Sequence, residues 1–218
     1  YFAAGSPVQH AANESSEVRR VRVLVQNLQK IPALATELME EYKPDVMLAQ
    51  EINFHSETNL GGFSVINISS MGYGTAIISN EQITDVKKIF APHPDFFFVK
   101  KTIIARTKNI QFVSFHGYNG QPFKNVDKLV DHVQAVLSVL CPGPTVFAGD
   151  FNTWSQGHLD AVKGVMEENG FRHAYTWPYP GRDSPLDHAF LRGVTLENST
   201  HYENASDHFG AILDLSYD

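Results

Sequence analysis

Asp150 and Asn152 stand two residues apart, directly after the run Thr145-Val146-Phe147-Ala148 and Gly149. The run reads as a buried strand. The glycine lets the backbone bend or another group approach closely. Positions i and i+2 of a strand point to one side, so the acid and the amide face one place together. A carboxylate is costly to bury unpaired, which requires the strand to end in a cleft. The pair offers an ionised acceptor and an amide that both donates and accepts. Such a pair can orient a water and hold a phosphate oxygen. Gly, Asp and Asn also form turns, and a plain turn accounts for the stretch equally well when it is taken alone.

The same placement recurs along the chain. Asn27, Glu51, His116, Asp187 and the pair Asp207-His208 each stand at or just beyond an apolar run. A single acid or histidine in that position is ordinary for a solvated loop. Six strand ends that carry such groups are harder to assign to chance.

The elements that position them follow from periodicity. Val18 to Asn27 reads as a strand, Ile31 to Tyr42 as an amphipathic helix opened by Pro32 and stopped by Lys43-Pro44, and Asp45 to Glu51 as a strand. Phe63–Ile68 and Thr75–Ser79 are two more strands. Phe96–Ala105 and Ile110–Phe115 form a hairpin that turns at Lys108-Asn109 and places Phe96-Phe97-Phe98 in a core strand. Phe123–Leu140 and His158–Asn169 are helices, the second ended by Gly170. Tyr175–Asp183 reads as a loop whose aromatics, Trp177 and Tyr179, either stack on a base, cover a lipid or pack over the core. Strands follow at Leu186–Leu191, Val194–Ser199 and Phe209–Leu215. The order supports an α/β fold with stacked layers.

Composition narrows the classes. The chain has 218 residues, 43% of them apolar, enough for one substantial core. We expect a polar N-terminal extension over 1–17 and a single domain over 18–218. The extension lacks the basic start and apolar stretch of a signal peptide. No apolar run reaches 18 residues, so no membrane span is expected. One cysteine excludes an internal disulfide framework and a multi-cysteine metal site; Cys141 is expected to pack in the core beside Pro142. The net charge of -7, with no basic patch, weighs against duplex DNA as a partner.

Taken in order, Gln26-Asn27, Gln50-Glu51, His116, Gly149-Asp150-Phe151-Asn152, Leu186-Asp187 and Ser206-Asp207-His208 resemble the endonuclease/exonuclease/phosphatase superfamily, the DNase I-like enzymes. The resemblance runs from about Val21 to Leu215. Gly-Asp-x-Asn and Ser-Asp-His are its most specific motifs. A nearer resemblance is to a bacterial branch of that superfamily, most of whose members have no assigned activity. It rests on Gly143-Pro144, Ala148 to Ser155, Pro185-Leu186-Asp187 and Ala205 to His208, and extends to Ala4-Gly5-Ser6-Pro7. That branch implies a cytoplasmic protein; a secreted one, with residues 1–17 the mature end of a processed chain, is the alternative.

The resemblance implies a four-layer αββα sandwich and Mg²⁺-dependent hydrolysis of a phosphate ester, with Mn²⁺ as a substitute. Glu51 would be the main metal ligand beside Asn27, with Asp207 a ligand or just behind one. Asp150 would orient the attacking water or act as its base, and Asn152 would hold a phosphate oxygen. His208 would stabilise transition-state charge, with Asp187 bonded to its other nitrogen. His116 would be a general acid or a phosphate contact. It departs from the commoner His-Leu pattern of the superfamily, because His116-Gly117-Tyr118-Asn119 carries both a histidine and a Tyr-Asn element. Asn119 is therefore a lesser substrate contact. Lys101 and Arg182 are cationic candidates for phosphate, weighed against ordinary surface charge.

The resemblance leaves three classes in competition. A phosphodiesterase or nuclease comes first. A phosphatase or a phospholipid phosphoesterase of the sphingomyelinase or phosphoinositide type comes second, and a non-catalytic binding module third. A complete set of competent residues speaks against the third. The expected partner is the phosphate-ester substrate, a nucleic acid or a small or lipid phosphodiester, met by a monomer without an obligate protein partner.

Overall fold

The structure is a computed structural model that describes residues 17–31, 33–53, 62–69 and 71–218. The segment Ala4 to Pro7 and Pro32 lie outside the described residues. Two six-stranded sheets form the centre. The first contains β1 (Arg19–Asn27), β2 (Val46–Ile52), β3 (Phe63–Asn67), β4 (Gly74–Ser79), β11 (Thr195–Tyr202) and β12 (Gly210–Tyr217), in the order β11-β12-β1-β2-β4-β3. The second contains β5 (Thr84–Phe90), β6 (Lys101–Thr107), β7 (Ile110–His116), β8 (Thr145–Asp150), β9 (Arg172–Trp177) and β10 (Asp187–Arg192), in the order β5-β6-β7-β8-β10-β9.

Alternation along each strand builds the layers. Val21, Val23 and Val25 of β1 meet Val146 and Ala148 of β8, Phe112 of β7 and Ala189 of β10 in the core between the sheets. Residues of opposite parity face outward. Leu24 and Met47 pack under helix α1 (Leu34–Tyr42), through Leu34, Ala35 and Leu38. Phe147 and Phe190 pack under helices α2 (Val126–Leu137) and α3 (Gln156–Glu168), through Leu129, Val133 and Val162. The result is the four-layer αββα sandwich. Each fully buried phenylalanine of this kind contributes about 1.5–3 kcal/mol through area removed from water.

Helix starts follow their caps. Asn125 accepts a hydrogen bond from the Lys128 N–H and Ser155 from the His158 N–H, so α2 opens later, and α3 earlier, than their apolar periods alone suggest.

Three expectations need correction, and one strand was not foreseen. Phe96–Phe98 are not in a core strand: β6 begins at Lys101, and Phe96 and Phe97 are 68% and 95% exposed. The turn is made by Asp95, whose backbone pairs with that of Phe98 and whose carboxylate accepts the Asn119 and Gly120 N–H groups. The loop expected over Tyr175–Asp183 starts late, because Arg172–Trp177 forms the edge strand β9, paired with β10 alone. Strand β5 was not expected. It is the opposite edge, largely exposed, and lacks an apolar run. Cys141 is exposed in the turn after α2, with its sulfur 3.7 Å from Lys87 Nζ.

Candidate active site

One end of the sandwich collects the polar strand ends because of chain direction. Strands β7 and β8 run parallel and end there, while antiparallel β10 begins there. His116, Asp150 and Asp187 are therefore register neighbours on three adjacent strands. All three share the parity of Phe112, Ala148 and Ala189, so their side chains face the space between the sheets. In the other sheet β1 and β2 end at the same mouth and β12 begins there. That brings Asn27 and His208 to the opposite wall.

Glu51 reaches the cleft by another device. Strict alternation would aim Gln50 inward and Glu51 outward. A register shift between Gln50 and Ile52 marks a bulge, and Glu51 has φ 51. Bulges re-aim side chains in this way. Glu51 lines the cleft, and Gln50 donates to Ser114 Oγ at 3.0 Å across the sheets. Gly149 is required by its surroundings. Its φ is 144, and a Cβ there would stand 2.1 Å from the Phe115 carbonyl oxygen.

Asp150 is the hub. Its Oδ1 accepts the Asn152 backbone N–H at 2.9 Å, and its Oδ2 accepts from Asn27 Nδ2 at 3.1 Å. Nε2 of His208 and Nε2 of His116 lie 3.5 and 3.6 Å from the same Oδ2. Nδ1 of His208 is 2.7 Å from Asp187 Oδ2. Asn152, at φ 52, donates its amide to the Gly117 carbonyl at 2.8 Å. Its second amide N–H and its oxygen have no hydrogen-bond partner among the described residues.

Electrostatics separate the roles. Burial opposes charge on His208, yet Asp187 and Asp150 push it up to about 10, so it is an imidazolium. Burial, reinforced by Lys100 and His208, holds His116 well below its ordinary value. A neutral His116 is a poor proton donor, which favours a contact or positioning role over an acid role. Its Nδ1 is buried without a partner among the described residues. Burial raises Asp150 to about 6, against the pull of His208. Burial and the charge of Asp150 raise Glu51 to about 6 as well.

Glu51 and Asp150, two carboxylates that line one cleft and whose charge burial disfavours, fit a divalent cation, which would favour the ionised form of each. Glu51 is placed to hold it. The oxygen of Asn27 accepts the Gln29 N–H at 3.0 Å and keeps one lone pair. Asp207 lines the cleft, with Oδ1 4.0 Å from His208 Nε2. Asp150, Asp187 and His208 also place donor atoms within 4.8 Å of one another. Asp187 and His208 spend their facing atoms on each other, however, and an imidazolium repels a cation.

The remaining candidates divide. Asn119 lines the cleft, and its side-chain oxygen accepts from Trp154 Nε1 at 2.6 Å. Arg182 lies over the Trp154 ring at 4.4 Å. Lys101 does not reach the cleft and instead covers Phe90 at 4.0 Å. Adjacent residues point apart, and Lys100 takes the inward place. Trp177 packs in the core, with Nε1 donating to the Phe209 carbonyl at 3.0 Å. Tyr179 is the aromatic of that segment that reaches the cleft, edge-on to His208 at 4.8 Å. Tyr73 and Phe98, stacked on each other, also line the cleft; Tyr73 carried no assignment from the sequence, and Phe98 was expected in a core strand.

The sequence profile described as "Endonuclease/Exonuclease/phosphatase family" matches residues 26–208. A UPF0294 protein of Vibrio parahaemolyticus is 42% identical over 71 residues, which are 30% of this chain and 25% of the relative. In that match the chain spans a quarter of the relative's length. A UPF0294 protein of Klebsiella pneumoniae is 22% identical over 245 residues, with 99% of this chain and 89% of the relative covered. Among solved structures, a 3'-5' exonuclease from Neisseria meningitidis has a similar fold, with TM-score 0.70 and 17% identity over 88% of this chain and 98% of that one. The profile spans both walls of the cleft, from Gln26 to His208, and the chain belongs to the Endonuclease/Exonuclease/phosphatase family.

Proposed function

We propose that the chain is a divalent-metal-dependent phosphoesterase that hydrolyses a phosphodiester in the manner of a nuclease. The observation that carries this reading is the arrangement about Asp150, a buried carboxylate faced by the His208 imidazolium, which is itself fixed by Asp187. When bound, Mg²⁺ supplies a Lewis acid for the phosphoryl and leaving oxygens. Glu51, with Asn27 and Asp207, is the set placed to hold it.

The protein's own groups do the rest. Asp150 orients a water and takes its proton as the water oxygen attacks phosphorus and the bond to the leaving oxygen breaks. The His208 Nε2–H donates to a phosphoryl oxygen as charge builds on it. Asp187 holds the proton on Nδ1 and the ring in place. Asn152 presents its second amide N–H to the phosphate. Asn119 and Trp154 line the substrate's path, and Arg182 covers the Trp154 ring.

One observation favours a second reading. Phe96, which lines the cleft, and Phe97 next to it are both exposed. Exposed apolar side chains beside a site suit a lipid phosphodiester.

The test is hydrolysis of single- and double-stranded DNA, RNA, sphingomyelin, phosphoinositides and bis-p-nitrophenyl phosphate, each with Mg²⁺, Mn²⁺ or EDTA. Turnover that disappears with EDTA and in Asp150→Ala is expected. Turnover that survives both would overturn the mechanism. Silence on every ester would favour a binding module.

A further inference from the structure

The cleft holds a cation that neither the sequence motifs nor the group around Asp150 accounts for. Lys100 immediately precedes β6 and is 3% exposed. Its ammonium lies 4.8 Å from the ring centre of Tyr73 and 5.0 Å from that of Phe98. Those rings are stacked at 4.2 Å and nearly parallel. Asp95 Oδ2, at 3.9 Å, is the only carboxylate oxygen within 4 Å of the ammonium among the described residues. That is an ionic approach but too long for a hydrogen bond.

Asp95 is already engaged, since it accepts the backbone N–H groups of Asn119 and Gly120. The three N–H donors of Lys100 thus have no hydrogen-bond acceptor among the described residues. A buried lysine that serves only the fold has its donors met. Lys100 instead lines the cleft with Glu51, His116, Asp150 and Asn119. Burial works against its charge, and Asp95, Asp150 and Glu51 support it. The aromatic pair holds the ammonium through cation–π attraction without occupying its protons.

We propose that Lys100 is a further catalytic residue, whose ammonium donates to a non-bridging phosphoryl oxygen of the substrate and, with His208, neutralises the charge that builds there. This rests on the phosphoesterase reading. It adds a point charge suited to a phosphoryl group, in a cleft whose lining includes the carboxylates of Glu51, Asp95, Asp150 and Asp207.

The experiment titrates inorganic phosphate into the full chain, with and without Mg²⁺, followed by calorimetry and ³¹P line broadening. Lys100→Met should bind phosphate about tenfold or more weakly, the loss expected when one charge-assisted hydrogen bond is removed. Its thermal midpoint should equal or exceed that of the wild type, because methionine removes an unsatisfied buried charge. A structural lysine predicts the reverse, a lower midpoint and unchanged phosphate affinity. Equal affinity in the two proteins, or no phosphate binding by the wild type in either condition, overturns the inference.

Should Lys100→Met fail to fold, Lys100→Arg decides. It keeps the charge but misplaces it, so affinity should fall severalfold, and unchanged affinity overturns the inference. Hydrolysis is followed in parallel. Turnover by Lys100→Met with unchanged kcat and KM sinks the Lys100 role alone. A wild type that binds phosphate through Lys100 but turns over no ester sinks the phosphoesterase reading alone.

Discussion

Nδ1 of His208 stands 2.7 Å from Oδ2 of Asp187 and joins the two sheets across the mouth of the sandwich. Asp187 opens β10 in one sheet, and His208 precedes β12 in the other. The contact fixes which nitrogen faces Asp150 and keeps the ring charged. In Asp187→Asn, His208 should titrate far below about 10, because burial then acts with less opposition. We expect kcat to fall about 10²–10⁴-fold with a smaller change in KM. NMR titration of the His208 ring and steady-state kinetics test this together. A His208 still charged at high pH in the variant would refute the assignment.

The pH profile follows from the acids. Asp150 and Glu51 are both raised to about 6, so both are protonated below that value and ionised above it. Orienting water and holding a cation require the ionised forms. Activity, as kcat/KM, should therefore rise with pH through about 6. His208 imposes no basic limb until about 10. More Mg²⁺ should move the acid limb lower, because a cation favours ionised Glu51. Profiles at two Mg²⁺ concentrations check both points, and a limb indifferent to Mg²⁺ would argue against Glu51 as the ligand.

Metal binding should appear as stability. A ligand at a hundred times its Kd stabilises the native state by about 2.7 kcal/mol. Wild type should gain in thermal midpoint with Mg²⁺, and Glu51→Gln should lose most of the gain. Without metal, Glu51→Gln should be no less stable than wild type, since the change relieves repulsion with Asp150. Melting curves with Mg²⁺ and with EDTA measure all four states.

A buried histidine outside the cleft sets an acid weakness. His132 accepts the Tyr118 N–H at Nδ1, and burial holds it down to about 3. The folded protein resists this proton, while the unfolded chain takes it near the ordinary 6.5. The stability due to neutral His132 is therefore full above about 6.5 and falls as the pH drops, by about 1.4 kcal/mol per unit, until about 3. Asp150 and Glu51 act in the opposite sense near pH 5. The slope is thus read as the difference between wild type and His132→Asn in urea titrations at pH 7 and 5. Parallel slopes would show that His132 is charged or exposed.

Long apolar runs were legible because a strand buried on both faces leaves no other reading. That is why β8 and the group Asp150, Asn152 stood out, and why His116 and Asp187 could be placed at strand ends. The edges were illegible for the matching reason. β5 has Lys87 and Lys88 in mid-strand, and β9 mixes Arg172 and His173 with aromatics. Such strands bury too little to leave a period. The Phe96-Phe97-Phe98 run imitated a core strand, whereas Asp95 bends it outward through bonds to residues more than twenty positions away. Glu51 was legible as a polar group at a strand end, but its aim was not, because a bulge breaks the alternation that would have turned it away from the cleft.

The walls of the cleft come from different sheets, with Asn27, Glu51 and His208 on one and His116, Asp150 and Asp187 on the other. Competence is therefore a property of the docked pair. A chain in which each sheet has formed but the two have not yet closed would show its full strand signal and no turnover. Regain of activity during refolding would thus time the moment the halves meet, and a substitution that loosens the Val23–Val146 layer far from the mouth would act as a catalytic defect before it registers as unfolding.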